Sequence, residues 1–226
     1  MIIVLSIPLA WVARERGKSL REQRIADQLR ERGFKTVMLA GPYDSWALEL
    51  IHKSPPQGWW RDFARLLLGK RILLVYDPPP DFSDLTLLAG LTNLQGLHVN
   101  SPPVSDISPL SGFPKLVVLV LKGADVSDLT PLAGLKNLEV LHIGGGAVND
   151  LSPLAGLHKL RMLWLHSTNV SDLTPLAGLT ILETFVARFE PIPLSQLEFL
   201  QEALPNCRVS NDRFAIELLK IRIRKP

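Results

Sequence analysis

Histidines, aspartates, one cysteine and a glycine triplet are the residues of this 226-residue chain whose types could carry chemistry. A zinc-type site needs ligands converging on one ion at about 2.0–2.3 Å, so His98, His142 and His166 matter only if the fold gathers them. Cys207 is the sole cysteine, which rules out an intramolecular disulfide and a cysteine-based zinc site. It reads as a small buried hydrophobe rather than a reactive thiol. Gly144-Gly145-Gly146 would cradle a phosphate only if it opened a helix. Asp84, Asp106, Asp128, Asp150 and Asp172 either do acid–base work or serve the turns of the chain itself.

The elements that hold these residues repeat. Val126-Ser-Asp-Leu-Thr-Pro-Leu-Ala-Gly-Leu135 returns at Val148–Leu157 and Val170–Leu179, with variants at Val104–Phe113 and Phe82–Leu91 and a partial copy opening at Ile192. The step is 22 residues. With Leu-x-x-Leu-x-Leu between copies, this period marks one strand and one short helical or 3₁₀ segment per turn of a solenoid. Residues 71–76, 94–99, 116–121, 138–143, 160–165 and 182–187 are predicted to form one parallel concave sheet. The aspartate accepts local backbone N–H groups, Ser or Thr caps the short helix, Pro follows and Gly lets the chain leave. No unit buries its leucines alone, so the units must stack and be capped.

That register aligns the outward residues in columns about 4.8 Å apart. The middle column is Tyr76, His98, Val120, His142, Trp164 and Val186; beside it run Leu74, Gly96, Val118, Val140, Met162 and Thr184; toward the bend lie Asn100, Lys122, Gly144, His166 and Arg188. His98 and His142 fall two strands apart, about 10 Å, too far to share a metal ion. The glycine triplet follows a strand and opens a bend, and the aspartates are explained by the repeat. No catalytic set, metal site, cofactor or small-molecule substrate is therefore predicted. Val118, Val120, Val140, Met162 and Trp164 instead predict an exposed apolar patch, the mark of a contact surface. Trp164 is its expected anchor, with His98, His142, His166 and Arg188 around it.

These motifs resemble the leucine-rich-repeat family, and Ser-Asp-Leu-Thr-Pro-Leu-Ala-Gly-Leu is similar to the internalin-type 22-residue class. The resemblance covers residues 72–210 and implies an α/β solenoid, or horseshoe, that serves as a protein-binding scaffold. One departure is visible: the asparagine expected after each strand is replaced by Pro102, Ala124, Gly146 and Thr168, so the bend should be looser or differently bonded. Leu200–Val209 resembles the closing helix and half-strand of short bacterial members. Leu5-Ser-Ile-Pro-Leu-Ala-Trp11 with the basic stretch after it is similar to short membrane-tethered bacterial repeat proteins.

The domain reading is an apolar segment with a basic flank over 1–17, a helical N-terminal cap over 18–70, the solenoid over 71–212 and a basic tail over 213–226. Within the cap, an amphipathic helix over 18–32 leads to a strand at Lys35–Leu39. Helices at 45–52 and 58–68 are then expected to lead to the 71–76 strand by a right-handed crossover. Trp46, Trp59 and Trp60 are read as capping bulk. The formal charge of +3 hides a split: residues 14–35 hold eight basic and four acidic residues, and residues 213–226 hold five and one. Only Phe34 interleaves the first of these stretches, against nucleic-acid binding. The apolar run Ile2–Ala13 would reach about 18 Å as a helix, short of a ~30 Å bilayer core. It remains open as the end of a membrane anchor, an interfacial anchor, or an element packed on the body. The chain is thus read as a non-enzymatic module that takes a protein partner on its concave face, membrane-associated or else cytoplasmic. The alternative is a structural envelope or surface component without a discrete ligand.

Overall fold

The computed structural model describes Arg24, Asp27, Gln28, Glu31 and Arg32, the strands 35–38 and 73–76, and residues 83–100, 104–188 and 191–211. The anchor, the helices expected within 39–72 and the tail from 212 on lie outside the described residues. One sheet runs in chain order through β1 (Lys35–Met38), β2 (Leu73–Tyr76), β3 (Leu94–Asn100), β4 (Val118–Lys122), β5 (Val140–Gly144), β6 (Met162–His166), β7 (Thr184–Arg188) and β8 (Arg208–Asn211). From β2 to β8 every neighbouring pair is parallel. Strands β4 to β7 sit two residues later than the leucine spacing predicts. The residues before them, such as Leu116 and Leu138, are held by turn bonds to Phe113 and Leu135 and enter the ladder late.

The start of the sheet corrects the expected crossover. Lys35 pairs with Tyr76 and Met38 with Leu73, so β1 is antiparallel to β2. A right-handed crossover requires parallel strands; here the 39–72 connection leaves and re-enters at the same end of the strands.

Each repeat buries its leucines on one side of the sheet. Leu97, Leu119, Leu141, Leu163 and Phe185 from the strands meet Leu88, Leu110, Leu132, Leu154 and Leu176 from the opposing 3₁₀ turns in one continuous core. Those turns are η1 (Leu85–Leu88), η2 (Ser108–Gly112), η3 (Thr130–Leu132), η4 (Ser152–Leu154) and η5 (Thr174–Leu176). At all five the capping acceptor is the aspartate. Its Oδ1 takes the N–H of the Ser or Thr two residues on at 2.8 Å. Ser and Thr therefore are not the N-caps; in η2 to η5 they are the first helical residue, with Pro next. The Ser or Thr side chain, then the backbone N–H, holds each aspartate below its ordinary pKa.

The bend after the strands is bonded by the backbone. Asp125 N–H donates to Val104 O at 3.1 Å, Ala147 to Val126 at 3.0 Å and Asn169 to Val148 at 2.7 Å, linking successive turns where a side-chain ladder was missing. Gly146 at φ +85° is required there, since a Cβ would lie 2.2 Å from Val126 O. The far end is closed by α1 (Leu194–Ala203), which buries Leu197 and Leu200 and packs on η5 and β8. Gln196 Oε1 accepts the Leu173 N–H at 2.9 Å, tying α1 to the last repeat. Cys207 lies buried beneath this cap, and burial pushes its thiol up to about 11, so it is a packing residue.

Candidate functional site

The ladder places the concave columns where the period put them. Gly96, Val118, Val140, Met162 and Thr184 align across β3 to β7, and so do His98, Val120, His142, Trp164 and Val186. Asn100, Lys122, Gly144, His166 and Arg188 form the third column at the strand ends. Val118, Val120, Val140, Met162 and Trp164 gather into one apolar cluster separate from the leucine core, with Val186 packed at its margin. Val117 joins it. That residue was missed because it precedes β4, where period-2 alternation does not yet apply; its N–H donates to Gln95 O at 2.8 Å.

The expected exposure of the patch is corrected. Fractional exposure is 1% at Val118 and Val120, 0% at Val140, 4% at Met162 and 8% at Trp164. The residues are apolar and adjacent, as predicted, but they are not open to solvent. Exposure returns at the edges: His98, His142, Thr184 and Val186 are half-buried, and His166 and Arg188 are exposed.

Burial governs the electrostatics. The His142 imidazole is driven down to about 3, first by desolvation and then by Lys122, His98 and His166, so it is neutral at physiological pH. Desolvation likewise lowers the Lys122 ammonium. His142 and Trp164 form a tilted ring pair with centroids 6.2 Å apart. At the open edge, Ser167 adopts φ +54° and its N–H donates to Arg188 O at 3.0 Å, while its Oγ lies 3.1 Å from His166 Nδ1. Those bonds fix the strand ends that present His166 and Arg188.

Such an arrangement offers shape and desolvated contact area rather than a reacting constellation. Among the described residues no group of three His, Cys, Asp or Glu side chains could hold a metal ion. Also among them, no helix is long and apolar enough to cross a membrane.

No protein-family profile and no curated protein matches the chain. Among solved structures, internalin C2 of Listeria monocytogenes is 35% identical with a TM-score of 0.53, the match covering 59% of each chain. A leucine-rich-repeat protein of Leptospira interrogans is 22% identical with a TM-score of 0.53, over 57% of this chain and 34% of that one. An internalin of Listeria monocytogenes, inlF, is 22% identical with a TM-score of 0.47, over 76% and 57%. The chain thus spans less than two thirds of the length of these proteins. Folds of this kind are generally non-enzymatic scaffolds for protein–protein interaction. With its 22-residue register, parallel sheet and 3₁₀ turns, the chain is an internalin-like leucine-rich-repeat solenoid.

Proposed function

We propose that this solenoid is a non-enzymatic protein-binding module that takes its partner on the concave side, around the Trp164 patch and the exposed edge formed by His166 and Arg188. One observation carries the reading. The repeat accounts for its leucines, aspartates, prolines and glycines, but nothing in it calls for Val118, Val120, Val140, Met162 and Trp164 on the opposite side of the sheet. A solenoid whose concave face only needed solvation would carry polar residues there. An aromatic flanked by apolar neighbours and edged by imidazole and guanidinium is the composition of an interface centre with its rim. Affinity capture on the full chain tests this, with Trp164→Ala and Arg188→Ala in parallel. Partners retained by the wild type and lost with Trp164→Ala support it, and equal retention by all three chains contradicts it.

The apolar run Ile2–Ala13, followed by the basic 14–35 stretch, supports association with an anionic membrane surface. Flotation of the full chain with anionic liposomes should be reduced by the double substitution Ile3→Asp and Leu5→Asp. Unchanged flotation speaks against a lipid role for the run.

A further inference from the structure

The concave patch lies on the side of the sheet opposite the leucine core and yet is almost wholly buried. Neighbours on one face, about 4.8 Å apart, shield each other's flanks but leave the tops of the side chains open. A second layer must therefore lie on them. Among the described residues no helix or strand supplies it, since the 3₁₀ turns stack on one another and α1 packs on η5 and β8.

The burial has a direction. It is complete at Val118, Val120 and Val140 on β4 and β5, slightly less at Met162 and Trp164 on β6, and half lost at Thr184 and Val186 on β7; Arg208 on β8 is exposed. A layer arriving from the β8 end would cover β7 and β8 first. The gradient therefore disfavours residues 212–226 and favours chain that precedes β2. Of that chain, the 39–72 connection is tied at both ends to β1 and β2 and has a charged residue in every stretch of twelve. Ile2–Ala13 has none.

We propose that Ile2–Ala13 is this second layer, an internal ligand seated on β4 to β6 that closes the concave patch and competes with any outside partner for it. The dimensions agree. Strands β4 to β6 span about 10 Å, within the ~18 Å of a twelve-residue helix. Residues 14–34 are ample to bridge the roughly 14 Å from β1 to β4. A run that prefers apolar surroundings then has two destinations, the patch and a lipid surface, and occupying the second opens the first.

This inference deepens the proposed function and rests on reading the patch as a contact surface, but its test needs no outside protein. A benzophenone amino acid replaces Trp164 in the full chain, which is photolysed in dilute solution, and the cross-linked peptides are mapped. A second chain carries the same group at half-buried Val186, so that loosening of the patch by the first replacement does not decide the result. Intramolecular cross-links from either position to residues 2–13 are expected. Cross-links only to 39–72, to 212–226 or to a second copy, or none at all, overturn the proposal. A cross-link to 2–13 in a chain that captures no partner would sustain the internal ligand and sink the module reading; capture without that cross-link would do the reverse.

Discussion

The imidazole of His142 on β5 faces the indole of Trp164 on β6 with ring centroids 6.2 Å apart and planes tilted by 36°. Both point away from the leucine core, one repeat apart in sequence. The pair shows what the concave face has become: desolvated enough to keep an imidazole neutral, and apolar enough to take a tryptophan almost out of water.

That desolvation makes stability depend on pH. Unfolded, His142 takes up a proton near 6.5, whereas in the folded chain it stays neutral down to about 3. Between those values the unfolded chain binds more protons, so the stabilisation is intact above pH 6.5 and is lost as pH falls toward 3. At pH 5 the loss should be about 2 kcal/mol relative to pH 7. The turn aspartates add nothing there, because their depressed pKa values act only below the ordinary 3.8. Denaturant midpoints at pH 7 and pH 5 should differ by this amount in the wild type and much less in His142→Gln. An equal drop in both would contradict the assignment.

Gly146 should be the least replaceable glycine of the bend. In Gly146→Ala the new Cβ would meet Val126 O at 2.2 Å and Val126 N at 2.7 Å, with φ at +85°. A cost of about 1–3 kcal/mol or more is expected from strain and displacement. Gly134→Ala, with nothing within 4 Å, should be close to neutral. Guanidinium midpoints of the two variants check the contrast, and equal shifts would contradict it.

Asp128 is a turn acceptor rather than an acid–base group. Its Oδ1 takes the Thr130 N–H at 2.8 Å. Asp128→Asn keeps an acceptor there and should hold most of the melting temperature, while Asp128→Ala should lower it. The reverse order would contradict the role.

The fold was legible because the period is strict. A 22-residue step fixes which residue of one strand lies beside which of the next, so Trp164 could be placed beside His142 and Val186 before any coordinates. Strand direction at the start was not legible, since a long 39–72 connection suits a parallel or an antiparallel return equally and no period reaches β1. Capping was misassigned because Asp and Ser or Thr can both accept an N–H, and only the geometry shows that the aspartate does. The composition of the patch could be read, but its burial could not. Periodicity states which way Val120 and Trp164 point and says nothing of what lies over them.

The central claim is that the concave side around Trp164 is where a protein partner docks. Its most direct test is the affinity of one captured partner for the full chain and for Trp164→Ala, Arg188→Ala and Leu87→Ala, each first shown to keep a cooperative melt. Leu87 is an exposed leucine of η1, on the side away from the concave face. Truncating an aromatic anchor commonly costs about 2 kcal/mol, so Trp164→Ala should weaken binding about thirtyfold, Arg188→Ala much less and Leu87→Ala hardly at all. Unchanged affinity in Trp164→Ala with a large loss in Leu87→Ala would contradict the account and move the binding surface to the convex turns.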